Sequence, residues 1–206
     1  MDRSDPSGRT ATAGIAALHA LFFGTFAVRL VVDRLQPARP RVAPPAARPA
    51  QAARLGDAFI ALHGLGFALQ WLGAFAPRER WSRRTPLLPP QPAPAATLGL
   101  LAVALAAWTV TSFRSWRVRA IVAPEHELAT SGPFALVRHP VYLTADLLAI
   151  ATGLWRPAPL VLLGAAVIAV AGDLRARAEE RLLVAAFGER YRAYQRRVRR
   201  FLPYLY

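Results

Sequence analysis

Apolar residues along this chain fall into long uncharged runs separated by segments dense in Arg and Pro. Residues 11–28 carry no formal charge. Arg29, at the end of that run, has a stem long enough to reach an interface. Residues 58–76 and 95–113 repeat the pattern. Each run approaches the ~20 apolar residues that cross a bilayer as a helix, so the pattern predicts three transmembrane helices. The intervening segments, 34–54 and 77–94, are rich in Arg and Pro. Proline removes backbone donors and blocks helix, so both are expected to be loops. Residues 1–10 are polar and expected to be mobile.

Two further apolar segments, 141–155 and 157–172, are shorter and meet at Trp155-Arg156-Pro157. At ~1.5 Å rise per residue each reaches only about 22–24 Å. A tight helical hairpin that dips from one face and nearly crosses is the expected form, with both ends on one side. Residues 174–196 form a charged amphipathic helical region interrupted at Gly188, a C-cap residue type. The expected fold is therefore all-α: a polytopic membrane helix bundle of about five transmembrane segments, the last two a short hairpin. It divides into N-terminal helices with Arg/Pro-rich loops, 1–116, and a region carrying the polar motifs, 117–206.

Composition sharpens this picture. The chain has 206 residues, 54% of them hydrophobic, and no Cys. Disulfide frameworks and thiolate chemistry are thereby excluded. All 26 basic residues are Arg, a bias that points to a GC-rich bacterial genome. The net charge of +14 suits either nucleic acid or anionic lipid. Because the Arg residues cluster between apolar runs, membrane lipids are the expected partner and nucleic acid is not. The first apolar run has no clear Ala-x-Ala cleavage signal after it and reads as a retained span. From Asp173 onward nine Arg face four acids, which places the tail in the cytoplasm by the positive-inside rule. Counting back puts 34–54 inside and 77–94 outside, the latter against its four Arg and one Glu. The expected location is the bacterial inner membrane.

Two polar constellations could carry chemistry. The first is residues 126–142, which hold a Gly132-Pro133 turn, an Arg138-His139 pair and the helix-starting Pro140. The turn would expose backbone N–H groups. Pro at a first helical position is favourable, and the helix start would direct N–H groups and positive dipole at an anion. On spacing alone, Arg138-His139 serves equally as a cationic anchor at the interface. In the second constellation Arg175 and Glu179 are i,i+4 and share a helical face, with Glu180 beside them. A solvated ion pair is the commoner fate of such spacing. Weaker candidates are His19 and His63, each inside a span, where helix–helix hydrogen bonding competes with ligand binding. Asp146 could anchor near the interface or pair with an Arg. Gly64, Gly66 and Gly73 suit close helix packing, and Trp71, Trp108, Trp116 and Trp155 suit an aromatic belt.

Together the two constellations resemble the isoprenylcysteine carboxyl methyltransferase and phospholipid methyltransferase superfamily, over roughly residues 120–203. The first motif, His-x-Leu-x-Thr-x-Gly-Pro-Tyr-x-x-x-Arg-His-Pro-x-Tyr, is matched at His126, Leu128, Thr130, Gly132, Pro133, Arg138, His139, Pro140 and Tyr142, with Phe134 in place of Tyr. The second, Glu-Glu-x-x-Leu-x-x-x-Phe-Gly-x-x-Tyr-x-x-Tyr, is matched at Glu179, Glu180, Leu183, Phe187, Gly188, Tyr191 and Tyr194. The tail Val198…Arg200-Phe201-Leu202-Pro203 is similar to the family's closing segment. Thr144 stands where Gly is usual, and Arg199 where Pro is usual. The resemblance implies an integral membrane enzyme that uses S-adenosyl-L-methionine, bound between the two motifs at a cytoplasmic site. It implies cofactor contacts from His126, Leu128, Gly132, Pro133, Phe134, Arg138, His139, Pro140, Tyr142, Glu179, Glu180 and Tyr191, and no metal. Arg175 and Glu179 stand at the implied catalytic place, acting on a hydrophobic or lipid-like acceptor that enters from the bilayer. Two alternatives belong to other classes: an NADPH-dependent reductase of the sterol-reductase type, and a non-catalytic haem-associated protein using His19 and His63.

Overall fold

A computed structural model describes residues 6–35, 50–76, 88–112 and 128–202. Among the described residues six α-helices follow in order: α1 (Pro6–Leu35), α2 (Ala50–Phe75), α3 (Pro92–Ser112), α4 (Pro140–Trp155), α5 (Pro159–Phe187) and α6 (Glu189–Arg197). A 3₁₀ turn, Gly132–Ala135, precedes α4. Four helices, α1, α2, α3 and α5, are long and apolar enough to cross a membrane, and α4 is a shorter apolar helix. The molecule is a polytopic membrane helix bundle. Large apolar side chains such as Leu21, Val28, Leu72, Leu100, Leu163 and Val170 are exposed on its flanks, as expected of helices whose outer faces meet lipid rather than water.

Specific contacts fix how the helices run. The Gln91 N–H donates to the Leu154 carbonyl at 2.8 Å, so α3 begins where α4 ends. Arg156 donates to the Ala76 carbonyl at 2.9 Å, bringing the end of α2 to the same level. At the other end Arg29 of α1 donates to the Val110 carbonyl near the end of α3 at 2.7 Å. α1 and α3 are therefore parallel to each other, and α2 and α4 run the opposite way. The α4–α5 turn at Arg156–Ala158 lies at the level where the neighbouring spans begin and end. The hairpin thus crosses the bundle instead of dipping short of its far side.

α2 and α5 pack at backbone distance. A Cβ added to Gly164 would lie 2.6 Å from the Gly66 carbonyl oxygen, and one on Gly73 would lie 2.8 Å from Val161. Gly66 and Gly73 serve the expected role, whereas Gly64 has nothing within 4 Å. Gln70, fully buried, donates to the Ala149 carbonyl at 2.9 Å and ties α2 to α4. Trp155 lies where a Cβ on Gly14 of α1 would go, and it closes a cluster of Ile15, Ala74 and Val161.

Several expectations from the sequence need correction. α1 runs from Pro6 to Leu35, α2 begins at Ala50 and α3 at Pro92, so residues 6–10, both ends of the segment 34–54 and the end of the segment 77–94 are helical. The Arg29–Asp33 pair, 3.0 Å, lies within that extension of α1. The second hairpin arm is not short. The apolar stretch to Gly172 and the charged stretch after it form one 29-residue helix. At ~1.5 Å per residue that is about 43 Å, longer than the ~30 Å hydrocarbon core, so α5 projects beyond it. It has no Gly or Pro between Asp173 and Phe187 to break it, and it ends where Gly188 takes a positive φ of 53°.

Candidate active site

The site is built at the end of the bundle where α3 stops and α4 starts. Gly132 adopts φ 60°, a conformation that favours Gly. A Cβ there would lie 3.2 Å from Ser112 Oγ. This turn therefore docks the loop onto the end of α3. Its nearby N–H groups serve the loop itself: Phe134 N–H donates to Ser131 and Leu136 N–H to Pro133. Tyr194 of α6 donates to the Phe134 carbonyl at 2.5 Å. Burial raises the phenol pKa of Tyr194, and burial with the neighbouring Glu180 charge raises that of Tyr191. Tyr194 is thus held as a donor.

The C-terminal segment closes over the start of α4. Val137 and Arg199 form a parallel bridge. The Arg138 N–H donates to the Arg199 carbonyl at 2.8 Å, and the His139 N–H to the Arg200 carbonyl at 3.2 Å. The N–H groups of Arg138 and His139, just before the helix, are therefore taken up by the tail, and Pro140 has none to offer. Phe201 joins Tyr142 and Ala176 in an apolar cluster beneath.

Glu180 is the hub of the first polar cluster. Arg138 reaches its Oε1 at 2.8 Å, and Arg200 reaches Oε2 at 2.9 Å. His139 Nε2 lies 3.3 Å from Oε1, and Gln195 donates to Oε2 at 3.4 Å. Arg138 also donates to the carbonyls of Gln195 and Val198. With its side chain 8% exposed, Glu180 holds four segments together: the Arg138-His139 loop, α5, α6 and the tail. Charge-assisted bonds of this kind are the strong ones.

Glu179 organises the second cluster. Tyr142 donates to its Oε1 at 2.5 Å, and Arg175 donates to the same oxygen at 3.2 Å. His139 Nδ1 lies 3.7 Å from Oε2. The Arg175 guanidinium stands over the Tyr142 ring at 5.4 Å, and His139 stacks on that ring at 5.6 Å. Glu179 keeps 20% of its side chain exposed against 8% for Glu180. Of the two carboxylates, Glu179 is the more accessible to a ligand.

The structure therefore brings Arg138, His139, Pro140, Tyr142, Arg175, Glu179, Glu180 and Tyr191 to one end of the bundle, with Gly132, Pro133 and Phe134 bracing it. Leu128 lies at the edge of the described residues, and His126 and Trp116 lie outside them. Thr144 is buried and returns its hydroxyl to the Val141 carbonyl at 2.7 Å. His63 comes from α2 to within 5.9 Å of the Tyr142 ring, whereas His19 packs against Phe67 and Trp71. Sequence reasoning gave no role to Arg200 or Gln195. The Arg in the tail motif was the available signal for the first, and nothing marked the second.

Residues 95–185, from the first turn of α3 through Glu179 and Glu180 on α5, match the model of the isoprenylcysteine carboxyl methyltransferase family. Over that segment the chain is similar to this family. That match, together with four helices long and apolar enough to cross a membrane, supports a membrane methyltransferase of this type. The matched segment contains both polar clusters apart from α6 and the tail, which supply Gln195 and Arg200. No curated protein matches the chain.

Proposed function

We propose that this enzyme transfers the methyl group of S-adenosylmethionine to a hydrophobic or lipid-like acceptor, at a site facing the cytoplasm of a bacterial inner membrane. The observation that carries this reading is the Tyr142–Glu179–Arg175 cluster beside the saturated Glu180 hub, inside a methyltransferase-family segment. The donor set suits the cofactor. Glu179 is a partly accessible carboxylate for an amino group or ribose. When bound, the cofactor supplies a methyl group on a cationic sulfur.

The chain's own residues position and enclose. Glu180 holds Arg138, His139 and Arg200, so it shapes the cofactor side and carries it indirectly. Arg175, braced by Glu179 and Tyr142, holds or polarises the acceptor. Holding two reactants in line and excluding water is a large part of what such a site can contribute. Residues 117–206 supply these groups, and residues 1–116 supply the wall through which an apolar acceptor approaches. The net positive charge of the tail supports a cytoplasmic position for this end of the bundle, where the cofactor is made. Mass spectrometry of lipid extracts tests the proposal. Membranes with the wild-type enzyme should contain methylated species that membranes with Arg175→Ala lack. Identical extracts would refute it.

A further inference from the structure

Three helices place two orphaned polar atoms around one glycine. His63 Nε2 on α2 and Asp146 Oδ1 on α4 are buried and have no hydrogen-bond partner among the described residues. Both face Gly172 of α5: a Cβ added there would lie 3.8 Å from His63 Nε2 and 3.9 Å from Asp146 Oδ1. The same point is 3.4 Å from Tyr142 Cβ, so the place adjoins the Arg175–Glu179–Tyr142 cluster. Buried polar groups are ordinarily paired, so two beside a reaction site call for a ligand.

The chemistry of the ligand follows from the atoms. His63 Nδ1 lies 3.0 Å from the Phe59 carbonyl. A carbonyl only accepts, so Nδ1 carries the proton and Nε2 of the neutral ring presents a lone pair. Asp146 Oδ1 faces the same glycine. Among the described residues the neighbouring cations are already bonded, Arg175 to Glu179, and Arg177 and Arg200 to Asp173. A carboxylate acceptor would bring further negative charge into a place made of acceptors. An O–H or N–H would satisfy it.

We propose that the methyl acceptor is a protic group, a hydroxyl or amine on an apolar chain, which donates its hydrogen to His63 Nε2 beside Gly172, with Asp146 flanking. This rests on the methyltransferase reading above and names its acceptor class. The acceptor oxygen or nitrogen bonds to the methyl carbon as that carbon's bond to sulfur breaks, the electron pair staying on sulfur. The acceptor proton passes to His63 Nε2, giving an imidazolium that Asp146 faces, and is then lost to water. A carboxylate acceptor would need no such base.

The test uses the full-length enzyme in lipid nanodiscs, with four acceptors that share one farnesyl-length chain and end in a hydroxyl, a primary amine, a carboxylate or a methyl group. Acceptor binding is read by calorimetry in the presence of S-adenosylhomocysteine, and methylation by transfer of labelled methyl. The hydroxyl or the amine should bind at least about tenfold more tightly than the carboxylate, and the two arms show which protic group is meant. His63→Ala should remove that preference and slow transfer by about 10²–10⁴-fold, the range for loss of a general base. Added imidazole should restore part of the rate. Gly172→Ala, whose methyl fits at ordinary contact distance, should block the acceptor while leaving thermal stability and S-adenosylhomocysteine affinity unchanged. Preferred binding or methylation of the carboxylate, or equal binding of all four, would overturn the proposal. So would unchanged selectivity in both variants. Loss of S-adenosylhomocysteine binding by the wild-type enzyme would instead count against the methyltransferase reading itself.

Discussion

Arg175 and Glu180 sit five positions apart on one helix and do different work. Glu180 faces Arg138, Arg200 and His139 with little exposure. Removing one partner of a buried ion network leaves uncompensated charge and costs about 3–5 kcal/mol. Glu180→Ala should therefore lower the unfolding midpoint in detergent and weaken cofactor binding with it, whereas Glu179→Gln should leave the midpoint near wild type. A Glu180→Ala protein as stable as wild type would mean that the hub holds nothing together. Arg175 instead lies beside the more accessible Glu179. Arg175→Ala should abolish turnover while cofactor affinity stays within tenfold, or ~1.4 kcal/mol. Normal turnover by that variant would reduce Arg175 and Glu179 to a surface salt bridge. The motif residues of this site were readable from the chain, because their types and spacing are unusual. Their pairing was not: Arg138 finds Val198 sixty positions away, and only the docked tail makes that contact.

At the scale of elements, hydropathy reported where the chain leaves the membrane rather than where a helix stops. The spans of α1, α2 and α3 were legible because their cores carry no charge. The ends of α1 and α2 were not, since Arg-bearing helix beyond the bilayer has no apolar signature. α5 was divided for the same reason, although nothing at Asp173 breaks a helix. The close approach of α2 and α5 was half visible as glycines, and only the fold shows which of them touch. Gly164→Ala should force α2 and α5 apart, because the new Cβ would lie 2.6 Å from the Gly66 carbonyl oxygen. Overpacking of this kind costs about 1–3 kcal/mol. Gly64→Ala and Gly24→Ala, with nothing within 4 Å, should be neutral or slightly stabilising. Thermal denaturation in detergent separates the two outcomes, and equal midpoints for all three variants would contradict the backbone contact.

For the whole molecule, the Gly132 loop, α6 and the tail share one end of the bundle, and the α4–α5 turn lies at the other. The chain has no Cys, so single cysteines report without background. Ser131→Cys and Arg196→Cys should react with an impermeant maleimide only after cells are opened, and Leu88→Cys should react in intact cells. Labelling of Ser131→Cys in intact cells would place the site away from the cytoplasm. The central claim, a methyltransferase site built from Tyr142, Glu179, Arg175 and the Glu180 hub, is tested most directly by titrating cofactors into the purified protein. Calorimetry should show saturable binding of S-adenosylmethionine and of its demethylated product, and no comparable binding of NADPH. Binding of NADPH without binding of S-adenosylmethionine would contradict it.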